Sequence, residues 1–235
     1  MKKELFSMLD RRKSQRSFSE SLSEEDMRKA ESIAEGLESL TSDRYAIRIL
    51  ERGETSSPKG DKCILFYSDN SVSSHLNAGY MLEQFDLEAE MNGLGVCWYG
   101  FGRTKEKKAD GLDFTVMEYF GKGVDLRTGE DDFSRIPADA FWKGDGFDDV
   151  KRLVRLAPSA CNSQPWLVRS EGNLIHVSRG EGKPSLMRGM IKRHFNLIDM
   201  GIFLCFLELS LEGLGYSFER RIIAEEHDIA EYFIR

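Results

Sequence analysis

Leu156-Ala-Pro-Ser-Ala-Cys-Asn-Ser-Gln-Pro-Trp166 is the stretch on which the reading of this chain turns. Pro158 ends the helix expected over Phe147 to Leu156. Ser159, Asn162, Ser163 and Gln164 then put four hydrogen-bonding side chains into one tight connection, which Trp166 can anchor in the core. Amide and hydroxyl groups set so closely can read a planar polar heterocycle. An ordinary helix-to-strand turn is the plainer reading of the same residues.

Outward from this loop, Trp166–Ser170 and Leu174–Val177 read as a strand pair. A long helix covers His194 to Glu212, ends at Gly213-Leu-Gly215, and leads into a strand from Tyr216 to Ile223. The first half has the same order. Ser23-Glu-Glu-Asp26 forms a capping box for a helix to about Leu40. Strands follow at Tyr45–Glu51 and Lys62–Tyr67, then a helix from Leu76 to Asn92 closed by Gly93 and Gly95. Phe114–Phe120 is a further strand, and 121–135 a glycine- and charge-rich loop. GLG recurs at 93–95 and 213–215, and 213 − 93 = 120. Sliding by 120 lays strand 45–51 on 165–171 and helix end 33–40 on 153–160, the pattern of an internal duplication with a fused-dimer core.

The chain has 235 residues, 40% apolar and 31% charged, with a net charge of −7. That length suits one to two domains that need no disulfide or metal staple. The negative charge argues against a general nucleic-acid binder. Cys63, Cys97, Cys161 and Cys205 form no CxxC or Cys/His cluster, so reduced thiols and an intracellular, cytoplasmic protein are expected. Cys97 and Cys161 read as small buried residues. No apolar run follows Met1–Lys13, and Phe195–Leu211, interrupted by Asp199 and Glu208, reads as a core helix rather than a membrane span. The four histidines sit in no HExxH or triad-like pattern and read as structural or exposed.

Two more segments bear on chemistry. Arg11-Arg-Lys-Ser-Gln-Arg16 gathers four cations (Arg11, Arg12, Lys13, Arg16) in a short loop suited to a phosphate; a solvated basic turn is the alternative. Gly93-Leu-Gly-Val-Cys-Trp-Tyr-Gly-Phe-Gly102 offers close backbone approach and an apolar wall at Trp98 and Tyr99; a helix cap running into a buried strand explains it equally. It follows a helix instead of opening one, so it is not a dinucleotide fingerprint.

Taken together, Arg12-x-Ser14-x-Arg16, APSACNSQPW and GLGVCWYG resemble the FMN-dependent nitroreductase superfamily over nearly the whole chain. The order departs from the usual one, in which APSAxNxQPW follows the first long helix; here that place holds Gly36-Leu-Glu-Ser-Leu-Thr-Ser-Asp43. The sequence is similar to a fused, internally duplicated subgroup. The resemblance implies an α+β fold, a nitroreductase-like mixed sheet with packed helices, in two similar halves forming a pseudo-dimer. Half one (1–140) carries RxSxR and GLGVCWYG; half two (141–235) carries APSACNSQPW; the two pack as one unit. It also implies one FMN per chain and a chain that can be monomeric.

By the same resemblance, Arg12, Lys13 and Ser14 hold the FMN phosphate and ribityl chain, and Arg16 faces the pyrimidine end. Pro158, Ser159, Ala160, Asn162 and Gln164 contact the flavin from the other half, and Trp98, Tyr99 and Gly100 lie along the isoalloxazine. Arg135, in Ser134-Arg-Ile-Pro137, corresponds to a late phosphate-binding arginine, with Phe133 where relatives often carry a second base. The flavin then carries the chemistry: NAD(P)H is the electron donor, a small-molecule nitroaromatic or quinone-like compound the acceptor, and no catalytic side chain or metal is required. The alternatives are a flavin-binding or degenerate non-catalytic member of the fold, and flavin chemistry other than nitro reduction.

Overall fold

The computed structural model describes residues 3–184 and 187–235; Met1 and Lys2 of the opening stretch lie outside them. In the first half, α1 (Glu24–Glu35), β1 (Ala46–Glu51) and β2 (Lys62–Ser68) precede the long helix α2 (Val72–Met91). Then come β3 (Leu94–Trp98), β4 (Lys108–Ala109) and β5 (Leu112–Lys122). After α3 (Ala138–Phe141), the chain continues with β6 (Trp142–Lys143), α4 (Asp148–Val154), β7 (Trp166–Glu171), β8 (Leu174–Arg179), α5 (Gly189–Gly213), β9 (Phe218–Ile222) and β10 (Asp228–Ile234).

Helix α1 starts at the expected capping box: the Ser23 hydroxyl accepts from the Asp26 N–H at 3.2 Å and the Asp26 carboxylate accepts from the Ser23 N–H at 3.1 Å. It stops at Glu35, short of Leu40, because the next residues find their hydrogen bonds elsewhere. Gln84 of α2 accepts from the Glu38 N–H and donates to the Glu38 carbonyl, and Asn77 accepts from the Leu40 N–H. Helix α2 begins four residues before Leu76, where the Ser71 hydroxyl caps the Ser74 N–H. Strand β10 was not expected; its alternation is blurred by consecutive buried residues Ile229 and Ala230.

Two sheets result, ordered β1-β2-β5-β3 with β4 on β5, and β6-β7-β8-β10-β9. Leaving aside the short β4 and β6, each half has two strands, a long helix and two more strands in one spatial order, every neighbour antiparallel. The chain is thus mixed α+β, with α2 and α5 packed on each other at its centre. One hydrophobic cluster runs through both halves, from Phe66 and Phe85 to Trp166 and Phe203. Helix α5 is long and apolar enough to cross a membrane, yet 94% of its apolar window is buried within the protein. Burial of this kind is what a core helix requires.

Candidate functional site

A cleft of about 270 Å³ opens where the three sequence segments meet. Ser14 and Arg16 come from the N-terminal loop, Trp98, Tyr99 and Gly100 from the end of β3, and Pro158, Ser159 and Ala160 from the loop after α4. Residues more than 140 positions apart (160 − 14 = 146) therefore share one wall.

Local chemistry explains each placement. The N-terminal loop is stitched to β3 by the Gln15 N–H donating to the Val96 carbonyl at 2.8 Å. Gly95 permits that approach, since a Cβ there would lie 2.6 Å from the Gln15 side chain. Trp98 is fixed from behind by its indole N–H, which donates to Glu83 at 2.9 Å. The N–H groups of Gly100 and Phe101, residues of the cleft wall, have no acceptor among the described residues. The 158–164 loop keeps its shape through left-handed backbone at Cys161, Asn162 and Gln164 (φ 51°, 54° and 49°) and through the Gln164 N–H donating to the Ser159 hydroxyl. Such backbone costs energy at non-glycine residues, so its surroundings must impose it.

Five expected residues do not line the cleft. Arg12 is buried, with its guanidinium on Asp86 at 2.6 and 2.8 Å and Glu83 at 3.5 Å. Burial works against its charge, but Asp86, Glu83 and Glu90 outweigh that and hold it protonated. One Arg12 N–H also reaches the Ser14 hydroxyl at 3.3 Å. Lys13 pairs with Asp125. Arg135 donates to the Ala157 and Leu156 carbonyls at 3.0 and 3.2 Å and to the Asn162 side chain at 3.0 Å, tying the loop to the end of α4. Burial, then Arg12 and Arg127, push its pKa down to about 10. Asn162 is thus the partner of Arg135, and Gln164 accepts from the Ile136 N–H at 2.9 Å. Phe133 is buried, with the Arg127 guanidinium 4.3 Å and that of Arg135 5.6 Å from its ring centre.

Arg16 remains the cation of the cleft, with no ion pair among the described residues. Cys161, expected to be buried, is exposed at the rim. The cleft also has walls not singled out in the sequence: Val116 of β5, Phe101 against Phe195 at 5.4 Å, and Phe195, Ile198, Asp199 and Ile202 from one stripe of α5. Asp199, an acid inside an apolar run, is the visible sequence signal for this wall. Of the histidines, His75 and His194 meet at 2.8 Å between α2 and α5.

A family model described as "Putative TM nitroreductase" matches residues 4–211. The chain belongs to this family. A solved structure of a Thermotoga maritima protein described in the same terms is 20% identical to this nitroreductase-family chain, with a TM-score of 0.63. It covers 98% of this chain and 92% of its own, and so supports the fold. A Desulfovibrio desulfuricans protein described likewise, in complex with FMN, is 17% identical over 58% of this chain and 92% of its own, with a TM-score of 0.42. No curated protein matches the sequence significantly.

The cleft of this nitroreductase-family chain fits the ring system of FMN. Apolar and aromatic walls suit a flat heterocycle, and Arg16 supplies positive charge. The volume stands just below the range of about 300–1,000 Å³ usual for small-molecule sites.

Proposed function

We propose that the chain is an FMN-dependent oxidoreductase that accepts hydride from NAD(P)H and passes it to a nitroaromatic or quinone-like small molecule. The observation that carries this reading is the convergence of Ser14, Arg16, Trp98–Gly100 and Pro158–Ala160 on one cleft. When bound, FMN supplies the two-electron chemistry. The residues of the chain then bind and orient. Trp98, held by Glu83, and Pro158 bracket the ring; Arg16 stabilises negative charge gained on reduction; Ser159 and Ala160 border it from the second half.

The shared strand order supports two halves, 1–140 and 141–235, descended from one duplicated unit. Where the first half would repeat the loop, it reads Glu38-Ser-Leu-Thr-Ser42, and buried Tyr80 stands at the place matching Ile202. One flavin per chain and a monomeric, cytoplasmic protein follow from this reading. Light scattering tests the monomer, and an obligate dimer with two flavins per chain would refute it.

Titrating the purified chain with FMN, followed by flavin fluorescence, tests the function. Saturation at one equivalent is expected, weakened about tenfold or more in Arg16→Ala and in Asn162→Ala. Absence of binding refutes the proposal. Engagement of Arg12 by Asp86 favours one variant of it, a flavin-binding but non-catalytic protein, and that variant is the conclusion if bound flavin is not reduced by NADH or NADPH.

A further inference from the structure

Helices α2 and α5 make the same bond at matching places. Asn77 Oδ1 accepts from the Leu40 N–H at 2.7 Å, and Asp199 Oδ1 accepts from the Ala160 N–H at 2.8 Å. The offsets are 199 − 77 = 122 on the helices and 160 − 40 = 120 on the loops. In the first half a neutral amide is sufficient to anchor the loop. In the second half the same position carries a carboxyl, and there the anchored loop borders the cleft. Asp199 also takes the Ser163 O–H at 3.1 Å through its other oxygen, is 2% exposed, and has no cation within ion-pair distance among the described residues. The other titratable groups lining its cleft are Arg16, Tyr99 and Cys161; Ser163 of the loop and Asn196 of α5 complete its immediate polar surroundings.

We infer that Asp199 is the proton donor of the cleft, handing a proton to the acceptor as the acceptor is reduced. This rests on the oxidoreductase reading above. Burial pushes the Asp199 carboxyl up to about 8, against the two hydrogen bonds it accepts, so it carries a proton at neutral pH. For a quinone-type acceptor the balance is direct. Hydride originating on NAD(P)H forms one O–H bond, NAD(P)+ is left, and the other quinone oxygen becomes an oxyanion. The O–H bond of the Asp199 carboxyl breaks and its proton forms the second O–H bond, giving the hydroquinone. The carboxylate, held by the Ala160 N–H and Ser163 O–H, regains a proton from water at the mouth of the cleft.

Asp199→Asn tests this, because Asn77 demonstrates that an amide can hold the loop. FMN affinity and melting temperature are expected to stay close to those of the parent. Turnover with a quinone is expected to fall about 10²-fold or more. The decline of parent turnover as pH rises through about 8 should vanish in the variant. In flavin-free protein, the infrared difference between parent and variant at pH 7 should contain a protonated-carboxyl band. Three outcomes would overturn the inference while leaving the flavin reading intact: an unchanged rate and pH profile, absence of that band, or loss of FMN binding in the variant alone. Failure of both proteins to bind FMN would overturn the flavin reading first, and this inference with it.

Discussion

Gly79 on α2 and Gly201 on α5 each lie against the backbone of the other helix. A Cβ at Gly79 would stand 2.0 Å from the Ile198 carbonyl oxygen, and one at Gly201 would stand 2.0 Å from that of Leu76. The relation is reciprocal with one offset, since 198 − 76 and 201 − 79 both equal 122. Each glycine thus meets the carbonyl of the residue three before the other glycine. Neither carbonyl can move without disturbing its own helix. Gly79→Ala and Gly201→Ala are each expected to lower unfolding free energy by about 3 kcal/mol or to abolish soluble folding. Urea denaturation midpoints check this; an unchanged midpoint would show that the helices can separate freely.

Arg12 is the buried counter-charge to an acidic patch formed by Glu83, Asp86, Glu90 and Glu118. Asp86→Ala is expected to cost about 3–5 kcal/mol, because it leaves a guanidinium buried beside fewer carboxylates. A conservative Glu83→Gln keeps an acceptor for the Trp98 indole and should cost much less. Comparing the two by chemical denaturation separates charge balance from support of the cleft wall.

Stability should fall as pH rises from about 5 towards 9. Burial pushes Glu83 up to about 8 and Glu90 up to about 9. The folded chain keeps protons that the unfolded chain gives up above about pH 4.5, so this contribution is lost as pH rises through 8 to 9. His75 acts in the other direction. Burial, then His194, lowers it to about 4 from its ordinary 6.5, so stability falls as pH drops from about 6.5 towards 4. The two raised carboxyls outweigh the single imidazole, so melting temperature should fall as pH rises from about 5 to 9, and less steeply in Glu83→Gln. A melting temperature that rises with pH over this range would contradict this.

Arg135 acts through geometry more than through charge. Its fork joins Leu156, Ala157 and Asn162, which a lysine ammonium cannot span. Arg135→Lys is expected to weaken FMN binding by about tenfold and to lower stability by about 1–2 kcal/mol. Equal FMN affinity in parent and variant would show that the loop keeps its shape unaided.

Much of this was legible in the sequence, because local rules govern it. The capping box at Ser23, the glycine that closes α2, the strands at 46–51 and 62–68 and the breaker Pro158 depend on neighbours a few residues away. The GLG at 93–95 and at 213–215 marks the ends of α2 and α5. The convergence of Ser14, Arg16, Trp98 and Ser159 was reached through their resemblance to known motifs, and the cleft contains all four.

The rest was decided by packing. The sequence alone determined most helices and strands, though not β10 or the end of α1, and that Arg12, Arg135 and Asp199 are polar groups at special places. It did not determine their partners, since Arg12 meets Asp86 across 74 positions and Asp199 meets Ala160 across 39. Those pairings depend on which loop folds against which helix, the N-terminal loop on α2 and the 158–164 loop on α5. Tertiary structure therefore turned Arg12 from a phosphate ligand into a buried counter-ion and brought Asp199 to the wall of the cleft. The physical reason is that a periodic pattern records how much each residue is buried, whereas charge balance and hydrogen-bond partners in a low-dielectric interior are settled by what lies opposite.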